Sequence, residues 1–161
     1  MKILDIYTDG SDKNKQHKGQ NRLGVGGLAV EGDKLIDTFS MQVSPIYLNF
    51  NYRTSDCSNP TMEMLALLFS LYKFKKLFKK YDKIIFHADY NGVGHWVFWK
   101  DWKTKQPYIS QLKQDILNEL DKQDLTGKVE FAWVPGHQKD DSKDTKWNNT
   151  ADLLAKGEYK G

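Results

Sequence analysis

The sequence predicts one α/β domain over residues 1–161, with a mixed five-stranded sheet flanked by helices. Three observations carry this. Three strand patterns open the chain, a helix pattern follows them, and a nearly continuous apolar run then reads as a strand covered on both faces. A buried strand arriving after a helix implies a parallel crossover, so the sheet must be mixed.

The elements run in order. "KILDIYTD" (2–9) reads as the first strand. "RLGVGGLAVEG" and "KLIDTFSMQV" form a hairpin turning near Gly32 and Asp33. "DKNKQHKGQN", before that hairpin, and the aromatic-bearing "SPIYLNFNYRTSD", after it, read as loops. In "SNPTMEMLALLFSLYKFKKLFKK", Asn59 can cap a helix, Pro60 suits its first position, and good helix formers continue to Lys80. "KIIFHAD" is the buried strand, and "YNGVGHWVFWKDW" is a helix candidate weakened by Gly92 and Gly94. "PYISQLKQDILNELDK" carries Ile109, Leu112, Ile116, Leu117 and Leu120 at helical spacing. "KVEFAWV" makes the fifth strand, and "NNTADLLAKGEY" the last helix.

The net charge is +3, from 24 basic and 21 acidic side chains, which permits a polyanionic partner without requiring one. The lone Cys57 cannot make an internal disulfide, and the N-terminus lacks the apolar stretch of a signal or membrane span. The expected setting is the reducing cytoplasm, away from any membrane.

Four carboxylates stand near the ends of core elements. Asp9 ends the first strand before Gly10 and Ser11, where a plain turn is the competing explanation. Glu63 shares a helical stripe with Leu67, Ser70, Phe74, Leu77 and Phe78, and a buried carboxylate needs a cation, a metal or hydrogen bonds. A helix-rim position favoured by the dipole would also account for it. Asp89 leaves the buried strand at its carboxyl end, where α/β sheets collect ligand chemistry, and could also cap the "YNGVGHW" helix candidate. Asp152 follows "NNT", and capping competes there too. Hard oxygen ligands from separate elements suit Mg²⁺ or Mn²⁺, with no Cys/His cluster for zinc. Two such ions can activate a water and stabilise a leaving phosphodiester oxygen.

The succession "TDGS", "NPTME", "HAD", "VPGHQ" and "NNTADLLAK" resembles ribonuclease H of type 1 across nearly the whole chain. The resemblance implies the ribonuclease H-like fold with strand order 3-2-1-4-5, three antiparallel strands followed by two parallel additions. It implies an endonuclease that cuts the RNA strand of RNA/DNA hybrids, leaving 5′-phosphate and 3′-hydroxyl ends. It carries Asp9, Glu63, Asp89 and Asp152 over as ligands of two Mg²⁺ ions, which Mn²⁺ can replace. Asp9 would bridge both ions, with Asp152 on the water-activating one and Glu63 and Asp89 on the other. His137 matches the family's loop histidine, which assists proton transfer or product release. Gly10, Ser11, Ser58, Asn59 and Asn148 match positions near the substrate, and contacts at the 2′-hydroxyl tell RNA from DNA. A monomer is implied.

Some features depart from the family. Pro60 stands where relatives often carry a second polar amide, the loop from His137 to Asp152 exceeds the family minimum, and no room is left for a separate basic handle. Lys13, Lys15, Lys18 and Arg22, and Lys100, Lys103 and Lys105 among Trp96, Trp99 and Trp102, are candidates for phosphate and sugar contacts, or else a solvated loop and core tryptophans. The alternatives in function are an inactive hybrid-binding module, opposed by the presence of all four acids, and a nuclease of the wider superfamily, opposed by the "VPGHQ…NNTAD" ending.

Overall fold

A computed structural model describes residues 1–12, 23–56, 58–136 and 138–161. Lys13, Lys15, Lys18, Arg22, Cys57 and His137 lie outside the described residues. Strands β1 (Ile3–Asp12), β2 (Leu23–Glu31), β3 (Lys34–Val43), β4 (Lys83–Ala88) and β5 (Val129–Trp133) form one sheet in the order 3-2-1-4-5. β1 pairs antiparallel with β2, and β2 with β3, while β4 and β5 are parallel additions. The β2–β3 hairpin turns through Gly32 and Asp33, with Gly32 at φ 61 and Glu31 opposite Lys34. A positive φ at the first turn residue costs glycine nothing.

Helices cover both faces. α2 (Asn59–Lys73) and α4 (Pro107–Lys122) cover one, burying Leu65, Leu68, Leu112 and Ile116 in a core with Leu4 and Ile6. α5 (Lys143–Lys156) covers the other, where Trp147, Ala151 and Leu154 meet Tyr7, Leu28 and Val30. The alternation of Ile6 and Tyr7 between the two clusters is the period-two signature of a strand buried on both sides. No helix among the described residues is long and apolar enough to cross a membrane.

Five local expectations are corrected. The expected loop after Val43 contains α1 (Pro45–Tyr52), capped by Ser44, whose Oγ accepts from the Ile46 amide, and closed by Arg53 at φ 52. Ser58, not Asn59, takes the N-cap position of α2, without a side-chain capping bond, and Asn59 and Pro60 are the helix's first two residues. α2 stops at Lys73 instead of continuing to Lys80, and a single turn, α3 (Lys75–Phe78), comes after it. Ser70 Oγ bonds back to the Leu67 carbonyl at 2.6 Å just before the break, a contact that bends helices, and Phe74 and Phe78 on either side of it are both buried in the core. Residues 90–102 yield only a short helical piece, ending in a π-helical turn at Gly94–Phe98. α5 begins five residues before Asn148, because Ser142 Oγ accepts the Thr145 amide and nucleates the helix inside a charged run.

Candidate active site

β1 continues past Asp9 to Asp12, with Asp9, Gly10 and Ser11 laddered to Gly26, Val25 and Gly24. The stretch is therefore strand, not turn. Its pairing with β4 ends at Tyr7 and His87, so Asp9 projects where the parallel partner has run out. Asp89 leaves β4 one residue beyond Ala88. These two acids thus share the carboxyl end of the parallel strands, the usual location of ligand chemistry in such sheets.

Glycines bring the helices to the same place. At Gly10 a Cβ would stand 2.4 Å from the Met62 carbonyl carbon, so α2 crosses β1 backbone against backbone. The next residue, Glu63, then reaches the site: the Gly10 amide donates to Glu63 Oε1 and Asp9 Oδ1, both at 3.0 Å. On the opposite face, a Cβ at Gly24 would meet the Ala155 carbonyl oxygen at 2.0 Å, and one at Gly26 the Ala155 nitrogen at 2.4 Å. Gly26 is the ladder partner of Asp9, and this close approach sets Asp152 of α5 beside the first-strand acid.

One carboxylate oxygen from each of Asp9, Glu63 and Asp89 lies within 4.8 Å of the other two. Asp9 is 4% and Glu63 1% exposed. Glu63 is therefore not a rim residue, and Asp152, nine positions into α5, is not a cap. Asp152 stands outside the tight trio but close enough to Asp9 to perturb it, and it pairs with Lys156 Nζ at 2.9 Å. Burial pushes the Glu63 carboxyl up to about 8, with the charges of Asp89 and Asp152 adding to it and contacts with Asp9 and the Gly10 amide opposing. Asp9 is raised well above its ordinary value, first by burial and then by Glu63, Asp89 and Asp152. Like charges this close cannot all ionise without compensation.

The arrangement fits divalent cations on chemical grounds. The donors are hard oxygens from separate elements, and no donor among the described residues reaches the buried Glu63 Oε2 unless Asp9 and Glu63 share a proton. Asn148, one turn before Asp152 on α5, is buried with its Oδ1 equally without a donor among the described residues. Ser11 is buried, Ser58 half-buried and Asn59 exposed at the start of α2. Trp96 belongs to the core, whereas Trp99 and Trp102 are exposed beside Lys100, Lys103 and Lys105, with Trp102 stacked on His95 at 4.1 Å.

Supporting residues at the site went unnoticed in the sequence. The Trp133 indole N–H donates to the Asp89 carbonyl at 2.9 Å, and a Cβ at Gly136 would approach Asp89 Oδ2 to 2.9 Å, so the chain leaving β5 folds tightly over this acid. Only the Asp152–Lys156 pair had a sequence signal, its spacing of four within a helix.

Comparison with known proteins agrees with this geometry. The chain is 28% identical over 146 residues to a Ribonuclease H of Janthinobacterium sp. (strain Marseille), covering 85% of each. It is 27% identical over 162 residues to a Ribonuclease H of Nitrosospira multiformis, covering 95% of this chain and 86% of the relative. Among solved structures, RNase H1 from the halophilic archaeon Halobacterium salinarum NRC-1 superposes with TM-score 0.68 at 18% identity, over 97% of this chain and 96% of its own. An N-terminal RNase H domain from Mycobacterium tuberculosis superposes with TM-score 0.69 at 17% identity, over 98% and 94%. The family model described as RNase H matches residues 1–160, and the chain belongs to the RNase H family.

Proposed function

We propose that the protein hydrolyses the RNA strand of RNA/DNA hybrids, using two divalent ions held by Asp9, Glu63, Asp89 and Asp152, and leaves 5′-phosphate and 3′-hydroxyl ends. The observation that carries this is the trio of Asp9, Glu63 and Asp89 within 4.8 Å, in a chain that belongs to the RNase H family. Mg²⁺ is the natural occupant of such an oxygen set, and Mn²⁺ can replace it. When bound, such ions lower the pKa of a water and neutralise charge on the leaving oxygen.

The chain's own groups do the rest. The Gly10 amide orients Asp9 and Glu63, and Lys156 steadies Asp152. The raised carboxyls retain protons that must leave as cations enter, so metal affinity rises with pH. His137 takes or returns a proton near the scissile phosphate. Gly10, Ser11, Ser58, Asn59 and Asn148 lie along the RNA strand, and the exposed Trp99 and Trp102 with Lys100, Lys103 and Lys105 offer stacking faces and phosphate partners. Residues 1–161 act as one catalytic domain, monomeric and in the cytoplasm.

The experiment is cleavage of end-labelled RNA, alone and paired with RNA or DNA, in Mg²⁺, Mn²⁺ or chelator, beside Asp89→Asn. Metal-dependent cutting confined to RNA in the hybrid, and lost in the variant with its circular dichroism unchanged, is expected. Full activity of Asp89→Asn would refute the assigned site, and tight hybrid binding without cutting would make the protein a binding module.

A further inference from the structure

A second polar cluster lies away from the acids, where α2 and α4 both begin. Asp56 is its hub. Its Oδ1 accepts the Ser58 amide at 2.8 Å, and its Oδ2 accepts the Tyr108 hydroxyl at 2.5 Å and the Thr61 hydroxyl at 3.3 Å. Its own amide donates to the buried Thr54 Oγ1 at 2.9 Å. One carboxylate therefore joins the α1–α2 connection, the first turn of α2 and the first turn of α4. Burial opposes its charge, but the bonds from Tyr108, Ser58 and Thr61 outweigh this and hold its pKa below the ordinary value.

The two joined helices lead to different parts of the molecule. Glu63 of the acidic trio is the fifth residue of α2. Immediately before α4 runs an irregular segment, Trp99–Gln106, with the exposed Trp102 and Lys100, Lys103 and Lys105. Its front end is held by the His95 carbonyl, which accepts the Asp101 amide at 3.1 Å, and by the Trp102 ring stacked on His95. Beyond its back end, the side chain of Tyr108, the second residue of α4, crosses to α2 through the bond to Asp56. Gln106, the α4 cap residue, makes no side-chain cap of its own and its amide donates only locally, to Thr104 Oγ1 at 3.1 Å, so the Tyr108 bond ties that helix start to α2.

We infer that Asp56 is a positioning residue which, through Tyr108, fixes the basic tryptophan-bearing segment before α4 relative to the start of α2, and so sets where a bound duplex lies over the acids. This rests on the proposed nuclease function. A nucleic acid gripped by phosphate contacts takes its register from those contacts. Releasing the Asp56–Tyr108 bond leaves the acids in place while the gripping segment shifts relative to them. Binding and register then suffer more than chemistry does.

The test uses Tyr108→Phe, Asp56→Asn and the double variant, with kcat, KM, the ladder of cut positions on a hybrid of fixed end, hybrid affinity in chelator, and Tm. Each single variant is expected to raise KM about three- to tenfold with kcat within about twofold. The cut ladder broadens, and the double variant is no worse than the more impaired single, because both remove one interaction. Tyr108→Phe keeps the ring and its packing, so it stands if Asp56→Asn folds poorly. Unchanged KM and ladder in a Tyr108→Phe protein beside an active wild type would overturn the positioning role alone. Loss of kcat and Tm with an unshifted ladder would reduce Asp56 to a structural support. A wild type that neither binds nor cuts hybrid would overturn the nuclease function, and this inference with it.

Discussion

Replacing Glu63 by glutamine should stabilise the metal-free protein. Glu63 titrates at about 8 in the fold against an ordinary 4.5. A carboxyl raised in this way binds its proton more tightly folded than unfolded, so stability is fullest below about pH 4.5 and falls as pH rises toward 8. At about 1.4 kcal/mol per pKa unit, the loss has a ceiling of about 5 kcal/mol, with about 3 kcal/mol expressed by pH 7. In Glu63→Gln the new amide oxygen would still accept the Gly10 amide bond, now made at 3.0 Å, and the new N–H would face the neighbouring carboxylates. The assay is urea unfolding of both proteins in chelator at about pH 4.5, 7 and 8, repeated with saturating Mg²⁺. The variant should match wild type at the lowest pH and exceed it by about 2–5 kcal/mol at the highest. Added Mg²⁺ should raise wild type by mass action and the variant less. A variant no more stable than wild type at about pH 8 without metal, or one that keeps the full pH slope, would refute the burial of an uncompensated charge at this position.

Two further outcomes concern the frame around the site. Gly24→Ala places a methyl 2.0 Å from the Ala155 carbonyl oxygen and should cost about 1–3 kcal/mol or more in urea unfolding, together with activity, as α5 is pushed off the sheet. Gly127→Ala, with nothing within 4 Å, should cost nothing; equal stability of the two variants would contradict the close approach. Asp5, in contact with His87 Nε2 at 2.8 Å and Lys143 Nζ at 3.0 Å, has a lowered pKa: burial opposes its charge but the bonds to both partners prevail. Its contribution is present above its ordinary 3.8 and is lost as pH falls through the lower folded value. Asp5→Asn should therefore cost about 1–3 kcal/mol at neutral pH, and its deficit should shrink in acid. A deficit independent of pH would show that the ion pair is not its source.

The main strands and helices were legible because each depends on a pattern that survives without tertiary context, whereas the strand order and the choice of the four acids came from the succession of motifs that resembles ribonuclease H. A strand-forming run marks β1, a proline at the helix start followed by good helix formers marks α2, and an apolar run marks β4. The parts that stayed hidden depend on contacts. α1 has no glycine at its end, and Arg53 adopts the left-handed conformation there instead. The first turn of α5 lies in a run of charges whose purpose shows only when Asp144 meets Tyr7 and Lys143 meets Asp5 across the sheet. The break after Lys73 follows the bond from Ser70 Oγ back to the Leu67 carbonyl, which no helix propensity encodes. At the site, Asp9 read as the end of a strand because the following Gly-Ser suggests a turn, yet Gly10 is where α2 presses closest, and Gly26 and Gly24, the ladder partners of Asp9 and Ser11, are where α5 does. Trp133 and Gly136 gave no signal because their partner is the backbone or side chain of a residue more than forty positions away.

The glycine contacts also bear on how the site could be re-engineered. Where a helix rests on a sheet through side chains, swapping those side chains moves it by fractions of an ångström, and such substitutions are the ordinary means of tuning a pocket. Here main chain lies on main chain at Gly10, Gly24 and Gly26, with no intervening atoms to exchange. The spacing between β1 and the helices that carry Glu63 and Asp152 is therefore a fixed dimension of the scaffold, and redesign has to act on the acids and on the side chains that contact them.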